Sequence, residues 1–243
     1  MRSLHSSTRL LIGLVAICLF GSPSGAGAII IKNLEFNVDG VLPSAEPDID
    51  LQNTSSQTEA SVYSVSGGLL EQSTFGIGVG NVSYLFPNIS ITGGGLDPTL
   101  TTVMETRLSI SQIEGDAGAF FQAFDGVYRY SVFFESGGAN ILSASGDILV
   151  PIADPSAFHI YRIESPGSSN VIRFFVDSVL VLTTTAASSS ANGFGFGDGV
   201  TASGNNADAS WDFVRVSQVP EPATAALLGA GLAGLLLYGR RRS

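Results

Sequence analysis

Nowhere between Ile29 and Gln218 do apolar residues recur at the 3.6-residue period of an amphipathic helix over a useful length. Short runs rich in β-branched and aromatic residues recur instead, separated by clusters of Gly, Asn, Asp, Ser and Pro. That is the pattern of strands joined by turns, and it predicts an all-β chain. A stretch of about 190 residues is long enough for one sizeable core. It contains no cysteine, the single Cys18 lying upstream of it, so the core has to hold without a disulfide. Charged residues are only 13% of the chain and Gly accounts for 29 of 243. A surface covered by neutral polar groups fits an exported β-protein and not a coiled coil. From Ile29 to Gln218 six basic residues face twenty acidic ones, a net charge of −14, which makes nucleic acid a poor partner.

In chain order, Ile29–Val38 reads as a first strand and Val41–Gln57 as a polar, acidic loop. Val62–Val65 and Leu69–Gln72 flank a Gly67-Gly68 turn, and Pro87 interrupts a strand region at Ser83–Ile91. Thr101–Ile113 alternates, with Met104, Leu108 and Ile110 on one face and Glu105 and Arg107 on the other. Phe120–Phe124 and Val127–Phe134 flank Asp125-Gly126, a hairpin signal whose central positions both favour positive φ. Phe121, Tyr128 and Tyr130 supply bulk for a core or for a sugar-stacking face. Gly195, Gly197 and Gly199 are followed by no helical pattern, so they fit a β-turn and not a phosphate loop.

The stretch Phe158–Val216 is the most specific. It runs through Phe158-His159-Ile160-Tyr161-Arg162, a hairpin of Val171–Val176 and Val179–Thr183 around Asp177-Ser178, Phe196-Gly197-Asp198, and Trp211-Asp212-Phe213-Val214. This series resembles the concanavalin A-like jelly rolls, many of which show a His-x-Tyr-Arg strand, a Phe-x-Val-Asp-Gly hairpin, a Phe-Gly-Asp turn and a closing Trp-Asp-Phe/Tyr-Val strand in that order. Ser178 stands where that hairpin usually has Gly. The resemblance implies a two-sheet β-sandwich whose last strand pairs near its first, leaving Ser217-Gln218 as a spacer before the tail.

Two targeting ends frame this domain, giving a leader at 1–28, a sandwich at 29–218 and a tail at 219–243. Arg2 and Arg9 precede the apolar run Leu10–Phe20, and Ala26-Gly27-Ala28 offers small residues for cleavage, so the leader reads as a secretory signal. The tail joins Val219-Pro220-Glu221-Pro222 to an uncharged apolar run, Ala223–Tyr238, and then to Arg240, Arg241 and Arg242. The run suits a single membrane helix whose arginines stay on the cytoplasmic side, while the two prolines mark an extended stretch that an enzyme could grip. This three-part order resembles the PEP-CTERM sorting signal of Gram-negative bacteria. The resemblance implies a membrane transpeptidase of the exosortase type as partner.

Chemistry is sparse in the sandwich. Its single histidine, His159, and its lack of cysteine exclude Cys–His pairs and multi-histidine metal sites. His159 lies in a strand pattern with no Gly-x-Ser-x-Gly elbow in the chain, so a structural hydrogen-bonded role is expected. Laminarinase-type jelly rolls carry paired acids on one strand as Glu-x-Asp-x-x-Glu. The nearest strings here, Glu46-Pro47-Asp48-Ile49-Asp50 and Glu114-Gly115-Asp116, do not match and read as loop acids. No cofactor is expected. Calcium is the one ion that Asp97, Asp198 and Asp208, all in Gly- or Asn-rich turns, could take. Trp211 and Asp198 are the candidate ligand-binding residues; Trp211 could stack on a sugar ring, but it alternates with Asp212 in a strand pattern, where a core position is the commoner role. The expectation is an exported cell-surface or matrix protein with a glycan-binding, non-enzymatic sandwich. A structural protein without a small ligand and a glycoside hydrolase are the alternatives.

Overall fold

A computed structural model of the chain describes residues 28–76, 81–87, 95–115, 118–199 and 205–220. Among the described residues sixteen strands follow one another: β1 (Ile29–Glu35), β2 (Asp50–Asn53), β3 (Tyr63–Ser66), β4 (Leu69–Ser73), β5 (Val82–Pro87), β6 (Thr101–Ile113), β7 (Ala119–Asp125) and β8 (Tyr128–Glu135); then β9 (Gly138–Ser143), β10 (Gly146–Pro151), β11 (His159–Ser165), β12 (Val171–Val176), β13 (Val179–Thr185), β14 (Ala187–Ser188), β15 (Asn192–Asp198) and β16 (Ala207–Val219). The described helical content is one 3-10 turn, Pro43–Ala45, and one α turn, Glu59–Val62.

The strands form two eight-stranded antiparallel sheets. The β6 sheet has the order β13-β12-β11-β6-β16-β4-β3, with β1 also on β16. The β7 sheet has the order β10-β9-β8-β7-β15-β5-β2, with β14 also on β8. One face of each sheet turns inward. Trp211, Tyr161 and Phe174 meet Phe196, Phe134 and Tyr130 in a shared core, with Phe196 edge-on to Trp211 at 5.5 Å and Phe134 edge-on to Tyr161 at 4.7 Å. Alternation puts these large side chains on the buried face of successive strands, which is what lets two sheets stack about 10 Å apart and dispense with a disulfide. Residues Ala28–Val219 form one compact unit.

Several local expectations shift. The loop expected over Val41–Gln57 contains β2, a polar edge strand paired to β5. Gly195 and Gly197 lie within a strand, because β15 alternates: Phe194 and Phe196 enter the core. Gly195 lies on the opposite face, where a Cβ would stand 2.4 Å from Leu85 Cδ2. Gly here permits a close cross-strand approach, not a turn. At Asp125-Gly126 only Gly126 takes a left-handed φ, of 88°. Asp125 closes the connection through its carboxylate, which accepts the N–H groups of Val127 and Tyr128 at 2.9 and 2.7 Å. Asp177 and Ser178 both adopt left-handed φ, 49° and 68°, so the hairpin keeps its tight two-residue turn without glycine. The last strand pairs β1 as expected, with Ile29 opposite Gln218. However, β16 continues to Val219, opposite Thr101 of β6, so the expected Ser217-Gln218 spacer is part of the sheet.

Candidate functional site

The outward faces of the two sheets differ in chemistry. Five of the six basic residues of the sandwich, Lys32, Arg107, Arg162, Arg173 and Arg215, belong to strands of the β6 sheet. Four of these five pair with acids: Lys32 with Glu46 and Asp48, Arg107 with Asp212, Arg162 with Glu164, and Arg215 with Glu35 and Glu105. Solvated pairs of this kind contribute little each.

The outward face of the β7 sheet is aromatic and amide-rich instead. Phe120, Gln122 and Phe124 of β7 stand opposite Phe133, Ser131 and Arg129 of β8, and Phe133 in turn stands opposite Asn140 of β9. These positions alternate with Phe121, Ala123, Tyr130, Val132 and Phe134, which point into the core. Phe120 stacks on Phe133 at 5.9 Å. The guanidinium of Arg129 lies 5.6 Å from the Phe124 ring and 5.4 Å from the Phe133 ring, within cation–π range of both. Its Nε donates to Ser131 Oγ at 2.8 Å and its Nη2 to Gln122 Oε1 at 3.0 Å, which fixes the group along the strand. Burial pushes the Arg129 pKa down, opposed by the charge of Asp147. Beside it, Asn140 Nδ2 donates to Glu135 Oε2 at 3.3 Å, while the buried Asn140 Oδ1 accepts no hydrogen bond among the described residues. The half-buried Phe124 and Phe133 beside a fixed guanidinium offer ring faces to a sugar's C–H surface and polar groups to its hydroxyls.

The residues singled out from sequence lie elsewhere. Trp211 is fully buried against Phe196, so its ring has no face left for a ligand; alternation along β16 turned it inward. Asp198 is likewise buried, its N–H donating to the Tyr63 hydroxyl at 3.0 Å. Asp97 caps Thr99, accepting from its N–H and hydroxyl, and Asp208 accepts the Phe75 N–H at 3.3 Å. The structure therefore does not gather Asp97, Asp198 and Asp208. Among the described residues no group of three or more His, Cys, Asp or Glu side chains has metal-holding geometry. Glu46 and Asp48 both hold Lys32. His159 is bound by Asp177 and by the Asp154 carbonyl. Phe121 and Tyr130 are core residues and Tyr128 packs against the core; of the outward-pointing Phe120, Phe124 and Phe133, Phe120 is itself buried, so the aromatics left to a ligand are Phe124 and Phe133. A signal was present in the sequence: β7 and β8 carry bulk on both alternating faces, more than a one-sided core strand needs.

Of the tail, Val219 ends β16, and Val219 and Pro220 are described. Glu221, Pro222, the apolar run Ala223–Tyr238 and Arg240, Arg241 and Arg242 lie outside the described residues, as does the leader through Gly27. Among the described residues no helix is long and apolar enough to cross a membrane.

Residues 218–242 match the family model of the PEP-CTERM protein-sorting motif. The chain thus carries a signal that implies recognition by an exosortase, a membrane protein, and marks an exported protein processed at the membrane. No curated protein matches the chain in sequence. Among solved structures it is similar to a non-specific endo-β-1,3(4)-glucanase from family GH16, at 13% identity and a TM-score of 0.56, covering 82% of this chain and 98% of that one. An endo-β-1,3-glucanase from Pyrococcus furiosus gives 14% identity, a TM-score of 0.52 and coverage of 79% and 95%. A structure reported for endo-acting O-glycanases of the human gut microbiota gives 13%, 0.54 and coverage of 78% and 99%. The sandwich is a concanavalin A-like jelly roll. The expectation of a non-enzymatic domain is corrected by these likenesses: the architecture this sequence builds is that of endo-acting glycan hydrolases, although identity this low carries over no catalytic residue.

Proposed function

We propose that the protein is sorted to the surface or extracellular matrix of a Gram-negative bacterium, where its jelly roll engages a polysaccharide chain along the outward face of the β7 sheet. The observation that carries this reading is the row Phe124, Arg129 and Phe133, flanked by Gln122, Ser131 and Asn140. Half-buried aromatics and fixed amides outside the core give a shallow site affinity for pyranose rings, on the order of micromolar to millimolar. The β6 sheet offers solvated ion pairs instead.

Hydrolysis is the second reading, favoured by the activities named for the similar folds. The outward face carries Glu135, which receives the Asn140 amide, and Asp147, which faces Leu142 and so lies level with Ser131. Four strand residues separate that level from Glu135, roughly 13 Å, beyond the ~5–9.5 Å of paired glycosidic acids. Glu135 is then the acid to test, with a partner other than Asp147.

A glycan array probed with the full chain in detergent micelles, followed by reducing-end assays on each hit, tests both readings. Binding that falls on the order of tenfold in Phe133→Ala, the loss of a stacking residue of roughly 1–2 kcal/mol, supports the face. Turnover lost in Glu135→Gln supports hydrolysis. Binding unaffected by Phe133→Ala would move the site off this sheet.

A further inference from the structure

We propose that the polysaccharide taken by this face is acidic, with a carboxylate or sulfate of the sugar seated on Arg129. The inference rests on reading the face as a glycan site and adds the charge of the ligand. Lys32, Arg107, Arg162 and Arg215 each have an acidic partner within 4.0 Å. Arg173 has none among the described residues, but it is exposed to water. Arg129 is different: it is half-buried, forms no ion pair among the described residues, and is the lone basic residue on the strands of the β7 sheet. A guanidinium taken partly out of water between two phenyl rings, with no carboxylate of the described residues within 4.0 Å and only the more distant Asp147 acting on it, leaves an electrostatic demand partly unmet.

Its geometry says what meets that demand. Arg offers five N–H donors in a planar fork. Two are used, by Ser131 Oγ and Gln122 Oε1, and both of these acceptors are neutral, so they orient the group without cancelling its charge. The remaining donors are one N–H of Nη2 and both of Nη1, so that one N–H from each nitrogen, side by side at the end of the group, can receive two oxygens as carboxylates and sulfates present them. The Phe124 and Phe133 rings flank the cation and give a pyranose a surface on either side. Lowering of the Arg129 pKa by burial agrees with a desolvated cation awaiting an anion.

The test uses the full chain in detergent micelles and three oligosaccharides of equal length: an oligogalacturonate, a sulfated galactan fragment and a laminari-oligosaccharide. The expected result is that one of the two acidic probes binds on the order of tenfold more tightly than the neutral one at low salt, and that the advantage shrinks when salt is raised several-fold. The two acidic arms tell a carboxylate from a sulfate. Arg129→Gln removes the advantage, so that acidic and neutral probes bind alike; Arg129→Lys keeps only part of it because it lacks the fork, and Arg173→Gln on the other sheet leaves it intact. Equal or tighter binding of the neutral probe, or an advantage that survives Arg129→Gln, overturns the proposal while the glycan site stands. Failure of all three probes overturns the glycan site with it. If Arg129→Gln does not fold, the ratio measured on the unmodified chain and its salt dependence decide alone.

Discussion

His159 faces two acceptors at once: its Nδ1 lies 2.6 Å from Asp177 Oδ2 and its Nε2 lies 2.9 Å from the Asp154 carbonyl oxygen. Only the doubly protonated ring donates to both, so the folded state favours imidazolium. Burial lowers the His159 pKa, but the hydrogen bonds to Asp177 and Asp154 outweigh it and the net shift is upward. Asp177 moves down, chiefly through the hydrogen bond from His159 and secondarily through that from the Ile160 N–H. A raised histidine stabilises fully below its unfolded value of about 6.5 and loses that contribution as pH rises through the folded value. The lowered Asp177 contributes above about pH 3.9 and loses its part as pH falls through its folded value. The melting temperature of His159→Gln should therefore lie furthest below that of the unmodified chain between about pH 4.5 and 6. The gap should narrow towards pH 9, as thermal melts across that range would show. A gap that widens above neutrality would mean that the ring is neutral in the folded state.

The hairpin β12–β13 turns on Asp177 and Ser178, both left-handed. Asp tolerates that conformation through local hydrogen bonds, whereas Ser bears a steric cost that glycine avoids. Ser178→Gly should stabilise by about 1 kcal/mol, roughly 2–4 °C in melting temperature for a domain of this size; a lower melting point would mean that the serine side chain contributes something the turn geometry does not. At the scale of elements, legibility followed alternation. β6, β11 and β12 are readable because large apolar residues occupy every second position, as Met104, Leu108 and Ile110 do. β9 escaped because Gly138, Ala139 and Asn140 dilute the apolar signal, and β2 because an edge strand of Asp, Gln and Asn has little to bury. β15 was mistaken for a turn because its glycines serve cross-strand contact with Leu85 and not chain reversal. The site itself was hidden for a related reason. Phe120, Phe124 and Phe133 are indistinguishable in sequence from their core neighbours until the register fixes which face each one takes.

For the molecule as a whole, the architecture and the sorting tail were legible, the first from the absence of helical period and the second from three segments in fixed order. What was not legible is where the fold stops. Gln218 is buried: its Oε1 accepts the Asp97 N–H at 3.1 Å, and its Nε2 donates to the Asp97 carbonyl at 2.8 Å and to Thr102 Oγ1 at 3.0 Å. Val219, the next residue, is still opposite Thr101. Glu221 thus follows Val219 by two residues in sequence, a reach of at most about 7 Å. Inserting a ten-residue Gly/Ser segment between Val219 and Pro220 should speed conversion of the precursor in a host with an exosortase, and Gln218→Ala should do so to a smaller degree, as pulse-chase labelling would reveal. Unchanged rates in both would mean that the enzyme works comfortably inside that gap. A motif tethered with so little slack couples delivery to folding: a passenger whose last strand has yet to zip into place presents a long leash, a finished one a short leash, and the same address reads differently in the two cases.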